Sequence, residues 1–131
     1  MAKTIDTAAS VTVSTDGTLT AEEFWVQSTG LVDCSAKHGM VVELKATFAD
    51  NAAVAGDLTF YIVRSNDGGT DISSSSQAVP IAVMTPVQNT TVKDVVTIPL
   101  EFDDDVGFAV QNSDETYSVT NVTISYRTVT L

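Results

Sequence analysis

The stretch Gly39–Phe48, with the sequence GMVVELKATF, decides the fold class of this chain. Apolar side chains occupy every even-numbered position of the stretch, whereas the odd-numbered positions include the charged residues Glu43 and Lys45. Successive side chains of a β-strand point to opposite faces of a sheet. This period of two therefore predicts a strand with one buried and one exposed face.

Other segments on both sides of this stretch have the alternation, or the β-branched and aromatic content, of strands. Clusters of Asn, Asp, Gly and Ser, which supply turn conformations, separate them. The further predicted strands are residues 11–13, 20–27, 58–64, 79–84, 92–100, 106–111 and 119–131.

Residues 20–27 are the one place where a helix competes with a strand. Thr20 and Glu23 have the spacing of a helix capping box. Helical potential lasts barely two turns, however, and the following aromatic and β-branched residues favour extended backbone. We therefore predict a strand here.

Seven to nine short strands with almost no helix predict an all-β fold, either a two-sheet antiparallel β-sandwich or a jelly roll. Without helices, two sheets must bury each other's apolar faces at a spacing of about 10 Å. Sandwich and jelly roll share these local patterns and differ only in their strand connections. We expect one β-sandwich domain over residues 21–131, preceded by an extended N-terminal arm over residues 1–20, where periodic apolar content is low.

The composition narrows the possible partners. Seventeen acidic residues face six basic ones, which gives the 131-residue chain a net charge of −11. Such a charge repels phosphate backbones and anionic lipid headgroups, and the six cations are scattered along the sequence. We therefore expect no nucleic-acid partner and no membrane partner. A single cysteine excludes an intrachain disulfide, and with no apolar run typical of a signal peptide it predicts folding in a reducing cytoplasm.

No catalytic constellation is predicted. The single cysteine, Cys34, and the single histidine, His38, are four residues apart. A thiol beside an imidazole can serve as a nucleophile and its base. In an extended chain, however, this spacing does not place the two side chains together, and we expect a buried thiol and a surface imidazole. The chain is expected to be no enzyme and to need no cofactor.

Carboxylates are abundant enough to raise the question of a metal site. The best candidate ligands for calcium are three consecutive aspartates, Asp103, Asp104 and Asp105. Their spacing is not that of an EF-hand. Adjacent aspartates more often cap a turn and keep a surface soluble, so we predict no metal site.

Aromatic residues suggest a different binding function. Phe24, Trp25 and Tyr61 would together offer a platform on which a sugar ring could stack, as carbohydrate-binding β-sandwich modules do. Packing in the core is the more common use of such side chains.

Three segments carry a resemblance to a known group of proteins. They are LVDCSAKHGMVVELKATF from residue 31, LTFYIVRSNDGGT from residue 58 and DDVGFAVQNSDETYSVTNVTISYR from residue 104. Their pattern and order over residues 31–127 resemble small structural proteins encoded beside capsid and tail genes of tailed bacteriophages. The matching residues are Leu31, Asp33, Ser35, Gly39, Asp67, Gly68, Gly69 and Asn112. The glycine or proline usual after the long strand is represented by Gly56 alone.

The resemblance implies a virion component of the head decoration or cement type, made in the host cytoplasm and located on the capsid surface. Its partners would be the major capsid protein and further copies of itself, as a trimer that staples adjacent capsomers. A tail, fibre or connector subunit of the virion is the alternative within this group, and a carbohydrate-binding module is the alternative outside it. We expect the arm and two loop tips to contact the partner, through Lys3, Thr4, Ile5, Val11, Val13, Asn51, Ser74 and Ser75.

Overall fold

A computed structural model of the protein describes residues 4–48, 56–65, 78–100 and 105–130. Ten β-strands form the regular structure of these residues, among which there is no helix and hence none able to cross a membrane. The strands are β1 (Thr4–Ile5), β2 (Ala9–Thr12), β3 (Phe24–Val26), β4 (Val32–Asp33), β5 (Gly39–Phe48), β6 (Leu58–Ser65), β7 (Ala78–Met84), β8 (Thr90–Pro99), β9 (Asp105–Asn112) and β10 (Thr120–Thr130).

The strands form two antiparallel sheets of five strands each. In the first sheet β10 pairs with β1 and β2 on one side and with β5 on the other, and β8 is the far edge. In the second sheet β9 pairs with β3 and β4 on one side and with β6 on the other, and β7 is the far edge. The predicted all-β sandwich is confirmed, and the stretch that decided it forms β5 with the predicted bounds.

The core lies between the two sheets. The inward positions of β5 alternate with outward ones along its whole length, as the sequence predicts. Phe48, Phe60 and Phe108, from the central strands β5, β6 and β9, are among the largest fully buried side chains. A smaller apolar cluster on the outer face of the second sheet surrounds the buried residues Val63 and Ala109.

The segment expected to be an arm is extended, and its described residues lie against the first sheet. β1 and β2 pair with β10, and Leu19 forms an isolated bridge with Val119. Val13 and Leu19 are fully buried in the core. Residues 4–20 therefore contribute both an edge and core side chains to the sandwich.

The helix-like spacing of residues 20–27 produces a turn instead of a helix. The backbone N–H and the hydroxyl of Thr20 both donate to Oε1 of Glu23, at 3.0 and 3.1 Å. The chain enters β3 at the next residue, Phe24. The capping contacts thus form, but β-propensity and pairing with β9 decide the conformation of the residues that follow. The predicted strand over residues 20–27 is confirmed for Phe24–Val26, and a turn replaces its first four residues.

Candidate interaction face

The outer face of the first sheet is a polar surface that four of the described strands build. Residues paired across antiparallel strands lie on the same face of a sheet, so the register gives its rows. Each of three rows takes one residue from β10, one from β5 and one from β8, in that order. The rows are Arg127–Val41–Thr97, Ser125–Glu43–Val95 and Thr123–Lys45–Lys93. β2 extends two of these rows with Ser10 and Thr12. We call this surface the polar face.

Half of the cations in the chain lie on the polar face. Lys45, Lys93 and Arg127 lie there, and Glu43 is the one acidic residue in these rows. Three cations and one carboxylate leave two positive charges in excess, in a chain of net charge −11. The polar face is therefore opposite in sign to the molecule as a whole.

The cations on this face are only partly compensated. Nζ of Lys93 lies 3.6 Å from Oε2 of Glu43. Lys45 is directly opposite Lys93 in the register of β5 and β8, and like charges in such a position repel each other. Among the described residues, neither Lys45 nor Arg127 has an ion-pair partner. The arrangement favours contact with an acidic surface.

Neutral groups complete the surface. The hydroxyls of Thr47 and Thr91 are 2.9 Å apart across β5 and β8. An open cavity of about 200 Å³ lies beside Val41, Glu43 and Val95. Val95 is 61% exposed, so the polar face also offers a small apolar contact on its edge strand.

The residues expected to contact a partner differ in their exposure to solvent. Thr4 and Ile5 are exposed, and Ile5 pairs with Val129, which lies on the same side of β10 as Arg127. Ile5 therefore extends the polar face. Val11 is half-buried against the core.

The expected partner contact through Val13 is wrong. Its side chain is fully buried in the core cluster and is not available to a partner. Lys3, Asn51, Ser74 and Ser75 lie outside the described residues.

The thiol is buried and the imidazole is exposed, as the sequence predicts. Cys34 is fully buried, whereas His38 is exposed at the start of β5. The N–H of His38 donates to the carbonyl of Val129 at 2.8 Å, which fixes the backbone at this point.

The acidic candidates give no metal centre in the described part of the chain. Asp105 begins β9 opposite Asp33 of β4, while Asp103 and Asp104 lie outside the described residues. The carboxylate of Asp33 accepts the N–H of Ser35 at 3.0 Å, and this bond lowers the pKa of Asp33. No group of three or more His, Cys, Asp or Glu side chains with metal-binding geometry occurs within the described ranges.

The three aromatic residues do not form a common platform, and Trp25 packs against the core, which is the use that the sequence favours. The rings of Phe24 and Tyr61 are 5.6 Å apart at an interplanar angle of 58°, on the outer face of the second sheet. Trp25 is the next residue of the same strand, so it points to the opposite side and packs against the core.

Comparisons with known proteins show the fold and no family. No family model matches the sequence, and no curated protein matches it. A chain in the structure of infectious bursal disease virus, Gx strain, superposes with a TM-score of 0.60 at 13% identity, over 95% of this chain and 32% of that one. A chain of the Gt strain gives 0.51 at 14% identity, over 92% and 31%.

The xylan-binding module CBM15 gives a TM-score of 0.53 at 13% identity, over 88% of this chain and 79% of the module. This chain spans about a third of the viral chains that it matches. The shared feature is a jelly-roll sandwich, which is found both in a virus particle and in a saccharide-binding module.

Proposed function

We propose that the chain is a structural protein of a bacteriophage virion, a head decoration protein that binds the outer capsid surface and stabilises adjacent capsomers. The observation that carries the proposal is the polar face, a wide sheet surface with uncompensated cations on an acidic molecule. The resemblance of residues 31–127 to phage structural proteins supports the same function. The structural similarity to a chain of a virus particle supports the view that this fold suits a virion protein.

Electrostatic attraction favours docking through the polar face. The free protein holds Lys45 and Lys93 opposite each other, and this repulsion is relieved when acidic groups of a partner approach. Complementary charge raises the association rate and disfavours wrong orientations. The hydroxyl groups of the same rows offer hydrogen bonds at short range. The partner is the major capsid protein, through an acidic part of its outer surface.

Self-association follows from the same function. A trimer presents three polar faces at once, and simultaneous attachment strengthens binding without any new contact. Light scattering at micromolar concentration is expected to give the mass of three 13.8 kDa chains. If the mass is that of one chain at all concentrations, the trimer is wrong, and single copies of the chain attach to the capsid.

The direct experiment uses virions of the phage that encodes the chain. Capsids assembled without the protein are incubated with the purified chain and imaged by electron cryomicroscopy. The proposal expects added density on the outer capsid surface that repeats with the capsomers. Density on the tail would instead support a tail, fibre or connector subunit, and a chain absent from the virion would overturn both.

A further inference from the structure

A second concavity lies at the opposite edge of the sandwich from β7 and β8, where β2 of the first sheet faces β3 of the second. Its volume is about 400 Å³. Ser10, Thr12 and Ser14 line one side, and Trp25, Ser28 and Thr29 line the other. We call it the edge cleft.

The residues that line the edge cleft are polar or neutral, and the carboxylate of Glu23 borders the cleft, where it accepts a hydrogen bond from Oγ of Ser14 at 3.3 Å. None of its lining residues carries a charge, in a chain that has 17 acidic side chains. β2 and β3 are edge strands of their sheets, so part of their backbone N–H and C=O groups is free on this side. Ser28 and Thr29 are exposed, and within the described part of the chain their hydroxyls have no hydrogen-bond partner. The cleft therefore offers neutral donors and acceptors.

One aromatic ring completes the edge cleft. Trp25 is the single tryptophan of the sequence, and it is half-buried between the core and the cleft. An indole ring combines a flat apolar surface with one N–H donor. A flat apolar surface beside neutral hydrogen-bonding groups matches a sugar ring, which has an apolar C–H face and a rim of hydroxyls.

The wall that carries Ser28 and Thr29 is held in place before any ligand binds. Nε2 of Gln27 donates to the carbonyls of Thr29 and Gly30 at 3.2 and 2.9 Å. Oε1 of Gln27 accepts the N–H of Phe108 at 3.1 Å, which ties this turn to the central strand β9. A wall that is already ordered reduces the entropy lost on binding.

The geometry points to the edge cleft as a binding site for a neutral saccharide that stacks on Trp25. This site goes beyond the proposed function. It shares Ser10 and Thr12 with the margin of the polar face but contains none of the cations of that face. A peptide strand added to an edge would need apolar pockets for its alternate side chains, and the hydroxyl-lined cleft does not provide them. An anionic sugar would find no cation among the lining residues.

Tryptophan fluorescence tests the inference directly, since Trp25 is the only tryptophan. The full chain is titrated with xylohexaose, cellohexaose, maltohexaose and mannohexaose. A saturable change in emission is expected with at least one of them. Thr29→Arg, which fills the cleft from an exposed position, is expected to weaken that binding about tenfold or more. Thr85→Arg, in the exposed connection between β7 and β8, is the matched control and is expected to bind as the unmodified chain does.

Three results would overturn the saccharide site. The first is that none of the four sugars gives a saturable change in emission. The second is that Thr29→Arg binds the sugar as tightly as the unmodified chain does. The third is that a pool of extended hexapeptides gives a saturable change and the sugars do not. The test is independent of capsid attachment. Thr29→Arg is expected to leave capsid binding unchanged, and Lys45→Glu on the polar face is expected to leave sugar binding unchanged.

Discussion

Nζ of Lys93 lies 3.6 Å from Oε2 of Glu43, and this ion pair joins β8 to β5 across the polar face. The two side chains are 55% and 38% exposed. Ion pairs at such exposed positions contribute only about 0–1 kcal/mol to stability. The pair therefore belongs to a surface whose charges are available for binding.

The first prediction is that Lys93→Met changes the free energy of unfolding by less than about 1 kcal/mol. Urea denaturation measures this change. Phe108→Ala is the contrasting variant, because its side chain is fully buried and its truncation is expected to cost about 3–5 kcal/mol. A loss of comparable size in Lys93→Met would mean that the residue maintains the fold, contrary to its assignment to a binding surface.

Gly56 is predicted to resist substitution because of a close backbone approach. A Cβ at this position would lie 2.4 Å from the carbonyl carbon of Ser113 and 2.6 Å from the backbone nitrogen of Asp114. Gly56→Ala is expected to destabilise the protein by about 1–3 kcal/mol, since backbone must move. Gly39→Ala is the control, because its Cβ would meet only the carbonyl oxygen of Ile98 at 3.5 Å. Equal midpoints for the two variants in urea would contradict this account.

Gln27 is predicted to be needed for the stability of the turn after β3. Gln27→Leu removes the acceptor of the Phe108 N–H and leaves that buried group unsatisfied. The expected cost is about 1–3 kcal/mol. Faster amide hydrogen exchange at Phe108 would identify the cause. Gln88→Leu, at an exposed position, should leave both stability and this exchange rate unchanged.

Asp6 is predicted to make the attachment of β1 sensitive to acid. Its carboxylate accepts hydrogen bonds from the hydroxyl of Thr128 and from Nζ of Lys37, and these bonds, that of Thr128 first, lower the pKa of Asp6. A lowered pKa stabilises the fold at pH values above the ordinary pKa of an aspartate, and this contribution is lost as the pH falls through the lowered value.

Thermal unfolding of the unmodified chain and of Asp6→Asn tests this at a series of pH values. The variant should be less stable at neutral pH, and the difference should disappear in strong acid. Lys37→Met removes one of the two bonds and is expected to show a smaller version of the same dependence. A difference that persists unchanged in acid would contradict the assigned origin.

The fold could be predicted well from the sequence where alternation was clean. β5 has ten residues in strict alternation, and its bounds were predicted correctly. Residues 4–20 were harder, because strand pairing there depends on backbone hydrogen bonds to β10, which leave little trace in an apolar pattern. The burial of Val13 and Leu19 likewise depends on the neighbouring strands.

The polar face could not be predicted, because it depends on strand order. Lys45, Lys93 and Arg127 each occupy an outward position of a strand, but only the adjacency of β10, β5 and β8 brings them together. The separation of Phe24 from Trp25 was available from the sequence. Once residues 24–26 are taken as a strand, two consecutive side chains must point to opposite faces.

The central claim is that the chain attaches to a capsid through the polar face, and cosedimentation with capsids that lack the protein tests it most directly. The unmodified chain should bind saturably, and its binding should weaken as salt is raised. Lys45→Glu should bind about tenfold more weakly or worse. Arg64→Glu is the same charge reversal at an exposed position of β6 outside the polar face, and it also removes a 2.9 Å hydrogen bond to the carbonyl of Pro99. This variant should bind normally once circular dichroism has verified its native fold. Equal binding by Lys45→Glu and the unmodified chain would contradict the claim.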